Sequence, residues 1–219
     1  VANAVINGLV NSDFEDLTVY TEVIQDGMFD LIDAGKLRVC SGTALSPSPD
    51  CLKKFYDNVE KYKKYIILRP QEVANSPEVA RRIGVIAMNT AIEVDIYGNV
   101  NSTHICGTKI MNGIGGSGDY ARNGYLTVFF TTSLAKGGAI SSVVPFCSHV
   151  DHTEHDVDVI VSERGVADLR GLSPKERALV IIDNFKRACE ACGNSQTPHI
   201  MDEAFSFHDR FVKTGTMEK

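Results

Sequence analysis

Strand-length apolar runs alternate with helix-start signals along most of the chain, and that alternation is the tightest constraint on its fold. Residues 17–20 (LTVY) read as a strand, and Met28, Phe29, Leu31 and Ile32 then mark a helical stripe that stops at Gly35. Residues 36–45 read as a second strand and 46–50 (SPSPD) as a turn. Leu52, Phe55, Val59 and Tyr62 follow as the apolar face of a Lys-rich helix. A buried strand at 65–68 (YIIL) closes at Pro70, and Ser76-Pro77 starts another helix, with Ser76 as cap. Ile92, Val94 and Ile96 alternate with Glu93, Asp95 and Tyr97, which predicts a strand with one apolar and one polar face. Further strands are expected at 126–131, 140–146 and 157–162. A helix capped by Ser173 then runs from Pro174 through Ile182, and a last one covers 201–211. This interleaving predicts an α/β fold, an open and largely parallel sheet flanked by helices, in a single domain over residues 1–219.

Charge and cysteine usage narrow the function classes. With 22 Lys and Arg against 28 Asp and Glu, the net charge is −6, which argues against a nucleic-acid partner and a polybasic membrane anchor. The longest apolar runs fall far short of the ~18 residues that a membrane helix needs. Cys40, Cys51, Cys106, Cys147, Cys189 and Cys192 are expected to be reduced, structural thiols, and the lone C-x-x-C at 189–192 is a weak zinc signal. The expected compartment is cytoplasmic, or mitochondrial in a eukaryotic source. The chain opens on an apolar, helix-like stretch with neither initiator Met nor targeting pattern, and is expected to be a piece of a longer chain.

Several segments can carry chemistry. Residues 112–120 (NGIGGSGDY) put four glycines in six positions, a backbone able to turn amides toward a ligand or to make a tight turn between strands. Residues 113–118 read G-I-G-G-S-G and match neither the dinucleotide fingerprint nor the Walker pattern. Ala135-Lys136-Gly137-Gly138 sets a lysine on flexible backbone, as a phosphate contact or as an ordinary hairpin. His149, His152 and His155, with Asp151, Glu154 and Asp156, superficially suggest a metal cluster, but no zinc spacing fits and no metal is expected. Glu22 follows the LTVY strand, where it would project from a strand's carboxyl end, the usual ligand edge of an α/β sheet. Glu93 lies within a strand beside Asp95. Taken singly, either glutamate can also be a plain surface carboxylate.

Taken together these segments resemble one family. Tyr20-Thr-Glu-Val-Ile-Gln-Asp-Gly27, residues 93–103 (EVDIYGNVNST), the 112–119 loop, Ala135–Gly138, residues 150–157 (VDHTEHDV) and 163–177 (ERGVADLRGLSPKER) occur in the order found in the C-terminal half of the acetyl-CoA hydrolase/transferase family. The branch is that of the succinyl-CoA:acetate and propionyl-CoA:succinate CoA-transferases. After Ile182 the chain departs from the family's usual segment, away from every implied site residue.

The resemblance implies a CoA-transferase-type fold, and a chain that is the C-terminal catalytic half of an enzyme moving CoA from an acyl-CoA to acetate, propionate or succinate. It implies Glu22 as nucleophile, passing through an acyl-glutamyl anhydride and a glutamyl-CoA thioester. Gly116 would donate its amide to an oxyanion and Asn75 would lie near the carboxylate. Ile92, Asn112, Gly116 and Lys136 would contact CoA, which is a substrate and not a resident cofactor. The implied partners are the enzyme's N-terminal half and a second copy in a homodimer. An acetyl-CoA hydrolase using the same glutamate, or an inactive CoA-binding or assembly fragment, are the alternatives.

Overall fold

In the computed structural model, residues 2–105, 107, 109–185 and 201–217 are described. Cys106, Cys189 and Cys192 lie outside that set, so the C-x-x-C reading does too. The chain packs as two compact units, residues 1–85 and 86–219.

The first unit is built on three parallel strands, in the order Leu17–Tyr20, Leu37–Gly42, Ile66–Leu68. Parallel neighbours need a crossover between them. Helix Asp26–Asp33 provides the first, and helices Pro49–Asp57 and Val59–Tyr62 the second. Ser48 caps Pro49–Asp57, its Oγ accepting from the Cys51 amide at 3.4 Å. Ser76 does the same for Pro77–Ile83, accepting from Val79, as the Ser-Pro signal predicts. The helical stripe buries Phe29, Leu31 and Ile32 against Leu37, Cys40 and Tyr62. Phe29 meets the Tyr62 ring edge-on at 5.1 Å and the Phe55 ring at 5.9 Å. Such contacts add about 0.5–1.5 kcal/mol each to the transfer energy of the buried rings. Burial pushes the Cys40 thiol up to about 12, so it serves as a small apolar group.

The expected strand at 36–45 is two strands. Leu37–Gly42 stays in the main sheet, whereas Ala44–Leu45 pairs in parallel with Val23–Ile24. The break is at Thr43, whose amide donates to the Glu22 carbonyl at 2.8 Å. Gly42 permits the crossing. A Cβ there would lie 2.9 Å from Ile24 Cγ1 and 3.2 Å from the Thr21 carbonyl oxygen.

The second unit holds a four-stranded sheet ordered Gly165–Asp168, Val159–Ser162, Leu126–Phe130, Ile86–Thr90. The last three run parallel and Gly165–Asp168 is an antiparallel edge. Helix Pro174–Phe185 buries Ala178 and Ile181 in the core with Phe129, Ile160 and Leu169. Its start is a capping pair: the Ser173 amide and hydroxyl both donate to Glu176 Oε2, at 2.8 and 2.6 Å. A smaller sheet joins Val143–Val144, Glu93–Asp95 and Val100–Asn101.

Two expectations need correction here. The alternating strand around Glu93 does not face solvent on its polar side, since Glu93 and Asp95 are each 2% exposed. The segments carrying Asn99, Asn101 and Cys147 cover them. The 140–146 run breaks into Ile140–Ser141, which pairs back with Leu134–Ala135, and Val143–Val144, which pairs with Glu93–Asp95. Ser142 switches sheets, its amide donating to the Ser133 carbonyl. The final helix is Met201–Thr214, longer than the pattern suggests. Among the described residues, no helix is long and apolar enough to cross a membrane.

Candidate active site

Glu22 sits half-buried just past the carboxyl end of Leu17–Tyr20, between that strand and Val23–Ile24. Its backbone is held by its own carbonyl, which accepts from Thr43 and Ala44 at 2.8 and 3.2 Å. Its side chain is aimed by Asn75, whose Nδ2 donates to Glu22 Oε2 at 3.1 Å. Asn75 is 6% exposed and ends the short helix Gln71–Ala74, its amide donating to the Gln71 carbonyl at 2.7 Å. A neutral donor of this kind orients a carboxylate without neutralising it, and among the described residues the bond seen is to Oε2 alone.

The neighbouring groups lock this edge of the sheet. The Tyr20 hydroxyl donates to the Val73 carbonyl, tying the strand before Glu22 to the helix before Asn75. Burial pushes the Tyr20 phenol up, which keeps it a donor. Arg69, directly after Ile66–Leu68, donates from Nε to Ser41 Oγ at 3.0 Å. The Asp-Gly that closes the glutamate motif serves the backbone. Asp26 Oδ1 accepts from the Ser48 amide at 2.7 Å, and hydrogen bonding from Ser48 holds its carboxyl below the ordinary value. A Cβ on Gly27 would stand 2.6 Å from Ile6 Cγ2, so only glycine lets helix Ala2–Val10 pack there.

In the second unit, residues 112–115 are exposed, whereas Gly116 is buried and caps the short helix Ser117–Ala121. Gly115 adopts φ +56°, while Gly116 at φ −88° is in a region open to any residue. Asn112 closes the base of the loop: its Nδ2 donates to the Ser102 carbonyl at 2.8 Å and to the Gly113 carbonyl at 3.0 Å. Lys136 is exposed at the turn of the Leu134–Ala135/Ile140–Ser141 hairpin, with φ +48° and two glycines following it. Ile92 is a bend residue, one position before the strand Glu93–Asp95, and its amide is engaged by the Asn101 carbonyl at 2.9 Å. The contact it can still offer a ligand is through side chain or carbonyl.

Glu93 is not a surface carboxylate. Asn101 Nδ2 donates to its Oε2 at 3.0 Å inside the core. Asp95 is a hub, with Oδ1 accepting from the Tyr97 and Asn99 amides and Oδ2 from Asn99 Nδ2 and the Cys147 amide. Burial pushes the Asp95 carboxyl up despite those bonds. The three histidines of 149–155 diverge: His149 faces Asp151 at 3.3 Å, His152 turns inward, and His155 is exposed. Among the described residues no His, Cys, Asp and Glu group is arranged to hold a metal. Tyr20 and Ser117 carry no role in the sequence reading, and His152 only a general structural or hydrogen-bonding one, which its contact with Ser117 fits. The Y-T-E order was a signal for the first, since a residue two before a strand-end carboxylate shares its edge.

One unit thus carries a strand-end carboxylate steered by an amide, and the other a glycine loop at a helix start. The fold is that of the CoA-transferases. The solved 4-hydroxybutyrate CoA-transferase of Porphyromonas gingivalis matches with a TM-score of 0.62 at 21% identity, over 97% of this chain and 48% of that one. Residues 52–185 match the acetyl-CoA hydrolase/transferase C-terminal domain, and the chain belongs to that family. It is 58% identical to the succinyl-CoA:acetate CoA-transferase of Clostridium kluyveri and 45% identical to the acetyl-CoA hydrolase of Candida albicans. Both matches cover 100% of this chain, Glu22 included, and 43% and 45% of those relatives. The chain therefore spans under half their length.

Proposed function

We propose that this chain is the C-terminal catalytic half of a CoA-transferase that exchanges CoA between an acyl-CoA and a small carboxylate such as acetate, propionate or succinate. The observation that carries the reading is the Asn75–Glu22 hydrogen bond at the carboxyl edge of the first unit's parallel sheet. It gives a carboxylate a fixed direction.

The chemistry follows from what a carboxylate can and cannot do. Its oxygen is a weak nucleophile in water, and splitting the exchange into steps through an activated anhydride avoids direct attack of the acceptor acid on the thioester. On this reading Glu22 attacks the thioester carbonyl, and the tetrahedral oxyanion collapses by expelling CoA thiolate, leaving a mixed anhydride. The thiolate then attacks the glutamyl carbonyl and releases the first acid, giving glutamyl-CoA. The acceptor carboxylate repeats these steps in reverse, ending with a new acyl-CoA and free Glu22. Gly116 contributes its amide to the oxyanions, an interaction stronger in the transition state than in the ground state. Asn112 shapes the CoA loop, Lys136 meets a phosphate, and Ile92 lines the groove. The N-terminal half and a second copy complete the enzyme.

Hydrolysis is the second reading, favoured by the likeness to the Candida albicans hydrolase. Water in place of the acceptor acid would end the same glutamyl thioester as free acid. One experiment tests the shared step and a second separates the outcomes. Acyl-CoA followed by borohydride should reduce a glutamyl thioester on the peptide containing Glu22, detected by mass. Label on the Glu93 peptide alone would overturn the assignment. A panel of donors and acceptors then shows whether CoA release needs an acceptor acid.

A further inference from the structure

The 151–156 segment (DHTEHD) lacks metal-ligand spacing, yet its side chains converge on the supports of the glycine loop. At one end of the loop, Asp151 Oδ2 accepts from the Ser102 amide at 2.7 Å and the Thr103 hydroxyl at 2.8 Å. These are the residues whose carbonyls hold Asn112, through Nδ2 to Ser102 and the backbone amide to Thr103. Beyond the other end, Asp156 Oδ2 accepts from Arg122 Nε and Nη2 at 3.2 Å, just after helix Ser117–Ala121. Between them, His152 Nε2 lies 2.9 Å from Ser117 Oγ, and Ser117 Oγ lies 2.9 Å from the Ile114 carbonyl.

Proton bookkeeping fixes the direction of this chain of bonds. A carbonyl can only accept, so the Ser117 hydroxyl donates to Ile114, and its oxygen must then receive a proton from His152 Nε2. The imidazole is buried at 3% exposure and packs 5.0 Å from the Phe129 ring. Burial lowers its pKa, so the neutral form carrying its proton on Nε2 is the working one. Its backbone is clamped in both directions by Val100, the Val100 amide donating to the His152 carbonyl and the His152 amide to the Val100 carbonyl.

We infer that His152 is a positioning residue for the Gly116 amide. The relay from His152 through Ser117 to Ile114 closes the turn that contains Gly115 and Gly116. A stretch with this many glycines otherwise has wide backbone freedom, and a donor that wanders from its acceptor position loses its catalytic value. The inference rests on the reading of Gly116 as an oxyanion donor.

The test uses the intact enzyme. His152→Phe keeps a ring beside Phe129 and deletes the donor, and it should lower kcat ~10–100-fold with KM for acyl-CoA within about threefold. Ser117→Ala should do the same. The double variant should be no slower than the slower single one, because both break one relay. His152→Gln, which retains an N–H, should recover part of the loss. Wild-type kcat in both single variants, with Gly116→Val inactive, would overturn the inference and leave the Gly116 reading standing. Multiplying losses in the double variant would also overturn it. Full turnover by Gly116→Val would instead remove the oxyanion reading and this inference with it. Should His152→Phe fail to fold, Ser117→Ala and its kcat decide alone.

Discussion

The two units both bury apolar cores but differ in how much polar side chain they bury with them. Among the described residues, the first unit buries two polar ones, Ser41 and Asn75, and both belong to the Glu22 edge. The second buries a long polar series that includes Glu93, Asp95, Asn101, Thr103, Ser133 and His152; Asp95 and Asn101 bond loop backbone directly, and the others bond side chains. A carboxylate at a strand end is held on a stiff platform by apolar packing of helices on the sheet. Loops that must hold backbone amides at set points have no such platform, and buried hydrogen bonds hold them instead. Damage should therefore read differently in the two: lost stability in the first, misplaced groups in the second.

The largest effect should come from Phe29→Ala, which empties the aromatic cluster and should cost about 3–5 kcal/mol in denaturant unfolding. Hydrogen exchange should show the loss first at amides of the Leu37–Gly42 strand. Equal loss of protection in the Leu126–Phe130 strand would break the contrast by showing one shared core.

Gly116→Val should show the reverse. Gly116 sits at φ −88°, so valine brings no left-handed strain, but the position is buried and its bulk should lower melting modestly beside a larger loss of turnover. Valine keeps the backbone N–H, but on the proposed role its side chain would push that amide off the oxyanion, and turnover should fall by about 10²–10³. A large drop in melting temperature with kcat intact would make the loop a packing element and erase the distinction.

The smallest effect concerns acid. Burial works against the Asp33 charge, yet hydrogen bonds from Lys54, Lys61 and Tyr62 hold its carboxyl below the ordinary 3.8. A lowered folded pKa means stability that is present above the unfolded value and lost as pH falls through the folded one. Wild type should thus weaken below about pH 4, and Asp33→Asn should show a shallower acid slope. Asp95 has the opposite sign, its raised carboxyl costing stability as pH climbs above 3.8. Identical acid slopes for Asp33→Asn and wild type would remove Asp33 from the account.

The sequence made the first unit more legible than the second for the same reason. LTVY, the 28–32 stripe and YIIL declare a strand, a helix and a strand by period and length, so Glu22 could be placed at a strand end from its neighbours. Its pairing with Asn75 spans 53 positions, and no local pattern encodes it. In the second unit the Ile86–Thr90 strand carries Asn89 and Thr90 with no clean alternation, and Gly165–Asp168 is a glycine-led edge, so neither stood out. The burial of Glu93 depends on covering segments up to 54 positions away, which periodicity cannot report. The three histidines drew attention as metal ligands, although only His152 turns inward, a direction set by its bridge to Val100.

Gly42 carries a consequence for anyone who would retune this enzyme. The strand end at 42 runs so close to the turn bearing Glu22 that an added methyl group would make the Ile24 side chain shift and crowd the Thr21 carbonyl. The backbone that carries Glu22 therefore has little room to be nudged from the side of position 42. On the proposed role of Glu22, a library that randomises position 42 would spend most of its members on shifted carboxylates.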